Sequence, residues 1–418
     1  MARPGSAVNR WAVGLICAAI VATGYLVAWL VHEPEPTARA KNSYVTPPVA
    51  FPVQIPGCDV VEPPREGQTF GMVRSVTYEC DNPSYPWFSG PKAGAMTQAL
   101  QDGLPGDVEI AFAPVTRSLV FQPILGDATQ NKEFGGWTSA DAKLLRGDRE
   151  GALSVTTRQA TKPIPPCIAG ELDERRHLPD GTIVDTDDTW YEFNGARTLT
   201  RHATAYSPDG SVVHANATDR AADGSGRTRA VPLTIDELVA LVTDPDLRIS
   251  APVPPGTLSP PEVCLPFSKS GAVIDQAQAR RWDAVLAQIP LDGVNLDRPL
   301  GALRQGERGG GVCQTVQVTT PGRQSRLAIV ISTEQPLPQE PDASSYGSVR
   351  RRLPDGTVVE TREERSAALS STPRNDRTVT VTRPSGTQIA ISFANAPAEL
   401  LPLALLEEIA LNPGLDVS

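Results

Sequence analysis

The sequence predicts an α+β protein in which an N-terminal transmembrane helix is followed by two tandem copies of one domain, each an antiparallel sheet with helices packed against it. Three observations predict this arrangement: a long uncharged apolar segment near the N-terminus, two proline-rich breaks, and a set of motifs that occurs twice in the same order. The chain has 418 residues, enough for two or three domains of ordinary size.

The first element is the apolar segment at residues 11–31, which as a helix would span roughly 30 Å, the thickness of the hydrocarbon layer of a bilayer. Arg3 and Arg10 precede it and Glu33 follows it, so the positive-inside rule places residues 1–10 in the cytoplasm and the bulk of the chain outside. We therefore expect a single-pass membrane protein with a retained signal anchor.

A cleaved signal peptide is the alternative interpretation of this segment. Ala38, Arg39 and Ala40 have the small-x-small pattern of a cleavage site. The apolar run is longer than the roughly 7–15 residues usual in signal peptides, and the pattern lies far from it. The sequence favours the anchor, and the alternative stays open.

Proline marks the expected domain boundaries, since the 40 prolines of the chain are clustered. Residues 32–56 are expected to form an extended, semi-rigid linker, and residues 249–261 a second one. We therefore expect an extracytoplasmic repeat 1 at residues 57–248 and a repeat 2 at residues 262–418.

The two repeats share one motif almost completely. Residues 175–186 and 350–361 are identical at nine of twelve positions. Two further landmarks, a Pro-x-Gly turn and an apolar segment that ends near a proline, follow in the same order in both halves. They lie at residues 207–211 and 233–247 in repeat 1 and at residues 383–387 and 401–415 in repeat 2. A period of this length indicates a duplicated domain.

The Leu-Pro-Asp-Gly-Thr sequence within the shared motif predicts a hairpin. Proline fits a type I turn, and glycine takes the left-handed position of the bulge that follows. A loop of this length pairs Arg175 with Asp185 and Arg350 with Glu360. Opposite charges should therefore face each other across the same hairpin in both repeats.

A second hairpin and a helix complete each repeat. The second hairpins are expected within residues 197–215 and 377–392. Thr234 and Glu237 have the spacing of a capping box, and Pro245 should end the helix that they begin. An earlier helix is expected in each repeat, near residues 95–100 and 277–288.

This order of motifs resembles that of uncharacterised exported proteins of actinobacteria. The resemblance rests on the dibasic strand, the two hairpins and the terminal helix ending near Asp-Pro, and it covers the second part of each repeat. These motifs are structural, so the resemblance implies no activity.

Five of the six cysteines follow the apolar segment, where an exported location favours disulfides. Cys264 and Cys313 are the pair in repeat 2 and are expected to be bonded to each other. In repeat 1 we expect Cys58 to pair with Cys80 and Cys167 to remain unpaired, with a Cys80 to Cys167 bridge as the alternative.

The sequence offers little catalytic chemistry. The net charge of -10 argues against nucleic acid as a partner. His177, His202 and His214 fall on expected strands without a metal-binding or nucleophile motif. Asp187 and its acidic neighbours could gather around calcium, but a solvated hairpin end is the better interpretation. We expect no cofactor, no metal and no catalytic residue.

Tyr85, Trp87 and Phe88 form the one dense aromatic segment. If exposed it would be a binding patch for a sugar ring or a partner, whereas burial against the core is the favoured interpretation. From these features we expect a non-enzymatic binding module of the cell envelope, whose partner is another envelope protein or a cell-wall polymer. An envelope-acting hydrolase with a dispersed site and a partner-dependent sensor or regulator are the alternatives.

Overall fold

The computed structural model describes most of the chain beyond residue 50. The described residues are 51–64, 75–77, 80–127, 136–193, 195–220, 226–263, 271–291, 293–307, 309–320, 323–339, 348–366, 374–395 and 400–417. The expected membrane helix at residues 11–31 lies outside them, as does most of the first linker. Within the described residues, no helix is long and apolar enough to cross a membrane.

Among its described residues, repeat 1 has two α-helices, five long strands and six short ones. The helices are α1 (Gly90–Asp102) and α2 (Ile235–Thr243). The strands are β1 (Val61–Glu62), β2 (Ser75–Thr77), β3 (Glu109–Ile110), β4 (Leu125–Asp127), β5 (Trp137–Arg146), β6 (Arg149–Gln159), β7 (Cys167–Ile168), β8 (Glu174–His177), β9 (Ile183–Phe193), β10 (Ala196–Tyr206) and β11 (Ser211–Thr218).

Among its described residues, repeat 2 has two α-helices and eight strands. Its helices are α3 (Gln276–Leu286) and α4 (Leu403–Leu411). The strands are β12 (Asn295–Leu296), β13 (Arg304–Gln305), β14 (Val312–Thr320), β15 (Arg323–Ser332), β16 (Ser348–Arg352), β17 (Val358–Ser366), β18 (Arg374–Thr382) and β19 (Gln388–Ala394).

The two main sheets share one strand order. The first runs β2-β4-β5-β6-β11-β10-β9-β8, and the second runs β12-β14-β15-β19-β18-β17-β16. The last six strands of each correspond one to one, and each repeat has one helix before these strands and one after them. The tandem arrangement of two antiparallel sheet domains, predicted from the repeated motifs, is confirmed.

The shared hairpin has the same geometry in both repeats. The amide of Gly181 donates to the carbonyl of Leu178, and that of Gly356 donates to the carbonyl of Leu353, each over 3.0 Å. Both glycines are left-handed, with φ of +84° and +89°. The turn residues therefore dictate the local fold as the sequence predicts.

The predicted charge pairs also form. Arg175 lies opposite Asp185 in the register and contacts its two carboxylate oxygens at 2.6 and 2.8 Å. Arg350 lies opposite Glu360, and its Nη2 is 2.8 Å from the carboxylate. Each pair holds the short outer strand of its sheet in register.

The terminal helices start and stop as expected. Thr234 and Glu237 form the complete capping box of α2, which ends at Thr243, two residues before Pro245. In repeat 2, Pro402 occupies the cap position of α4 and offers no side-chain hydrogen bond. The earlier helices are also present, and α1 is longer than predicted because the Ser89 side chain caps it upstream.

In each repeat, one arginine, which we call the inner arginine, contacts the chain just before the terminal helix. It is Arg201 on β10 in repeat 1 and Arg377 on β18 in repeat 2. Arg201 donates to the carbonyl of Leu233, just before α2, over 2.8 Å. Arg377 donates to the carbonyl of Leu400, before α4, over 2.9 Å. The same guanidinium groups contact a carboxylate on the neighbouring strand, namely Asp188 at 2.9 Å and Glu363 at 3.2 Å. Each arginine thus links the neighbouring strand to the chain just before the terminal helix.

One disulfide differs from the prediction. Cys58 is bonded to Cys167, not to Cys80, and Cys80 is a half-buried free thiol. The physical reason is that β1 pairs in parallel with β7, which brings the start of the repeat to Cys167. Cys313 is also in a disulfide, and its expected partner Cys264 lies outside the described residues.

Repeat 1 also begins earlier in the chain than predicted. Ile55 belongs to the region predicted to be linker, yet it is buried and packs with Cys167 and Leu172. The folded part of the repeat therefore begins before residue 57, and the amide of Arg175, on β8 of the main sheet, donates to the carbonyl of Pro56 over 2.9 Å.

Replacing both Cys58 and Cys167 by serine is expected to lower the free energy of unfolding by about 2–4 kcal/mol, because the bridge closes a long loop in the unfolded chain. Urea unfolding measures this change. Cys80→Ser is the control and should stay within about 0.5 kcal/mol of the wild type. A non-reduced peptide map that joins Cys58 to Cys80 would contradict the assignment.

Gly356→Ala is expected to cost about 1 kcal/mol of stability, because alanine is strained at a positive φ. Gly106→Ala is the matched control, since a Cβ there meets nothing within 4 Å and the backbone is not left-handed. Equal effects of the two substitutions in urea unfolding would show that the turn geometry does not matter.

Candidate functional site

The helices of each repeat cover only one face of its sheet. On β5, Ala140, Ala142 and Leu144 are buried in the core, whereas the alternate residues Ser139 and Asp141 point to the opposite side. We call this opposite side the open face of the repeat. In both repeats it is lined mainly by polar and small side chains.

The open face of repeat 2 contains a cleft of about 460 Å³. Its lining residues come from three adjacent strands and are Glu360, Arg362, Glu364, Asp376, Arg377, Thr378, Thr380, Gln388, Ala390, Ser392, Phe393 and Ala394. The central strand β19 contributes only small side chains to the open face over Ala390, Ser392 and Ala394. Small residues on neighbouring strands therefore create the space.

Charged residues of both signs flank this space. Arg362 and Glu364 form an ion pair on β17, and each is about half exposed. Glu360 is engaged by Arg350 from the neighbouring strand. An exposed ion pair contributes little net stability. Arg362 and Glu364 can therefore separate and pair with charged groups of a ligand instead.

On the open face of repeat 1, two histidines occupy the place equivalent to this cleft. The rings of His202 and His214 stack with their centres 5.6 Å apart. Thr200 lies 3.0 Å from Nε2 of His202, and Thr204 lies 2.8 Å from Nδ1 of His214. Each imidazole is thereby fixed by a hydroxyl of its own sheet.

The strand registers show which residues of the two open faces correspond. His202 lies opposite Asn216, as Thr378 lies opposite Ser392 in repeat 2. His214 lies opposite Thr204, as Ala390 lies opposite Thr380. The repeats thus place imidazoles and small side chains at equivalent positions, which explains why the larger cleft is in repeat 2.

Burial sets the protonation of this face. It lowers the pKa of His214 to about 4, with a further contribution from His202, and it also lowers the pKa of His202. Both imidazoles are therefore neutral near pH 7. Burial raises the pKa of Asp187 to about 6, and the carboxylates of Asp173 and Asp188 add to this shift.

A second, smaller cleft of about 190 Å³ lies on the open face of repeat 1. It is bounded by the short 3₁₀ segment Val115–Arg117 and by β5, β6 and β11. Its polar lining residues are Arg117, Asp141, Lys143, Ser154, Asn216 and Thr218.

The aromatic segment predicted as a binding patch lies against the core. Phe88 is 2% exposed, and Tyr85 and Trp87 are half-buried beside it. The rings of Trp87 and Phe88 meet edge to face at 5.4 Å. The structure therefore favours the burial interpretation over the binding patch.

The acidic hairpin end does not form a calcium site among the described residues, where no three metal-ligating side chains cluster. Asp185 pairs with Arg175, and Asp188 pairs with Arg201. Two carboxylates of this hairpin, those of Asp185 and Asp188, are thus held by arginines, whereas Asp187 is half-buried near Asp173 and Asp188.

The comparisons with known proteins provide no family. No family model matches the chain, and no curated protein matches it. The di-domain ARO/CYC StfQ from the steffimycin biosynthetic pathway aligns at 13% identity over 80% of this chain and 89% of that chain, with a TM-score of 0.15. A putative oleoyl thioesterase from Lactobacillus plantarum aligns at 9% identity over 77% and 95%, with a TM-score of 0.13. Scores this low carry no argument.

Asp187→Asn is expected to stabilise the protein at pH 8 and to leave it unchanged at pH 3. Folding raises the pKa of Asp187 to about 6, so the folded protein favours the protonated carboxyl group. The stability gained from the protonated form is complete below the ordinary pKa of an aspartate and is lost as the pH rises through 6. Urea unfolding at both pH values measures the effect. Asp148→Asn, at an exposed turn, controls for the loss of one negative charge. A stabilisation that is equal at both pH values would contradict the assignment.

Proposed function

We propose that this protein is a membrane-tethered, extracytoplasmic and non-enzymatic binding module of the cell envelope, and that the cleft of repeat 2 holds its ligand. The observation that carries the proposal is this cleft of about 460 Å³ on a sheet face that neither described helix of the repeat covers. Its volume falls in the range typical of ligand sites, roughly 300–1,000 Å³.

The chemistry of the cleft supports a polar, extended ligand. Alanine and serine side chains on β19 offer a flat surface to which a chain can lie close, and the threonines of β18 offer hydroxyl groups. Arg362 and Glu364 at its side provide charges of both signs. A segment of another envelope protein or of a cell-wall polymer has these properties.

The sequence before the repeats supports the location. The uncharged segment at residues 11–31 has the length of a membrane anchor, and the prolines of residues 32–50 favour an extended spacer. Such a spacer would hold the repeats off the membrane surface, where envelope components can reach them.

Site-specific photo-crosslinking in intact cells tests the proposal. A photoreactive amino acid at Ser392, in the cleft, is expected to give one reproducible adduct of defined mass, whereas the same group at Thr319, exposed on β14 outside the cleft, should give none. Thr378→His should reduce the Ser392 adduct at least several-fold, because it places in repeat 2 the imidazole that repeat 1 carries at the equivalent position.

The control for this substitution is Thr319→His, which adds the same group outside the cleft and should leave the adduct unchanged. Adducts that form equally at Ser392 and Thr319, or that are insensitive to Thr378→His, would refute the cleft as the binding site. Chemical alteration of the captured molecule by the purified protein would instead favour the hydrolase alternative.

A further inference from the structure

We infer that the open face of repeat 1 carries a second binding site and that its ligand is an acidic sugar residue. This site lies in the cleft of about 190 Å³ beside the Val115–Arg117 segment. It is distinct from the cleft of repeat 2, so the inference goes beyond the proposed function and can fail independently of it.

Three side chains form a straight row across the floor of this cleft. Asp141, Ser154 and Asn216 are direct partners on β5, β6 and β11, so the row is about 10 Å long. The carboxylate only accepts hydrogen bonds, the hydroxyl donates and accepts, and the amide does both. A ring that carries several hydroxyl groups matches such a row, because each hydroxyl is also a donor and an acceptor.

The amide of this row is pre-oriented. The hydroxyl of Thr200 donates to Oδ1 of Asn216 over 2.8 Å, and Thr200 is itself buried. The NH₂ group of Asn216 is thereby left to donate to a ligand oxygen. Ala152 lies next to Lys143 in the register and provides an apolar surface for the carbon face of the ring.

The charges of the cleft select an acidic sugar over a neutral one. Within the described part of the chain, neither the guanidinium of Arg117 nor the carboxylate of Asp141 makes a hydrogen bond or an ion pair, whereas Lys143 is engaged by Glu150 at 2.6 Å. Arg117 is exposed at the rim, and its planar guanidinium suits a carboxylate in two-point contact. Asp141 remains to accept hydroxyl groups.

The test is a titration of the full-length protein in detergent with glucuronate, glucose and acetate, followed by ligand-observed NMR. Glucuronate is expected to bind saturably in the millimolar range, glucose about tenfold more weakly, and acetate not measurably. Arg117→Gln should reduce the affinity for glucuronate to that for glucose, because it removes only the contact between the guanidinium and the sugar carboxylate. Asp141→Asn should weaken both sugars about tenfold.

Two controls make the result specific. Glu364→Gln removes a carboxylate from the cleft of repeat 2, and Thr378→His fills that cleft, and both should leave sugar binding unchanged. Since the side chains of Arg117 and Asp141 make no hydrogen bond or ion pair among the described residues, their variants should unfold near the wild-type urea concentration. The inference is overturned if neither sugar binds saturably, if acetate competes as well as glucuronate, or if Asp141→Asn binds like the wild type.

Discussion

Each sheet has two faces, and the helices of its repeat cover only one of them. Because side chains alternate between the faces, a strand such as β5 must supply apolar residues at every second position and water-compatible residues between them. The core on the covered face is large, extending in repeat 2 around the fully buried Trp282. The opposite face needs only to tolerate water, and every site described above lies on it.

In each repeat, a polar contact joins the first helix to the chain just after the terminal helix. The buried amine of Lys92, on α1, donates to the carbonyl of Arg248 over 2.7 Å, and the indole of Trp282, on α3, approaches the carbonyl of Asp416 at 3.3 Å. Burial lowers the pKa of Lys92 to about 8, yet two carbonyl groups accept hydrogen bonds from its amine. The amine of Lys92 and the indole of Trp282 thus both donate a hydrogen bond to a backbone carbonyl in the chain after the terminal helix.

Local patterns in the sequence predicted the hairpins and the start of the terminal helix well, because each of these features depends on residues close together in the chain. The Gly181 turn, the Arg175 to Asp185 pair and the capping box at Thr234 are of this kind. The bridge from Cys58 to Cys167 was missed because it depends on a parallel pairing of two-residue strands that leaves no periodicity in the sequence. The clefts were missed for a similar reason, since their space depends on which side chains meet across several strands. The alternation of small residues at Ala390, Ser392 and Ala394 was the available signal.

Comparison of the two repeats separates the features of the domain that both retain from those that differ between them. The turn, the inner arginine and the helix contacts occur in both repeats because each supports the covered face. The open face has diverged, with His214 where repeat 2 has Ala390 and His202 where it has Thr378. Exchanges of this kind leave the core untouched, since alternate residues of one strand do not share a face. Two copies of one domain can therefore present two different surfaces on a single chain, one with a large cleft flanked by charges and one with a smaller cleft beside neutral imidazoles.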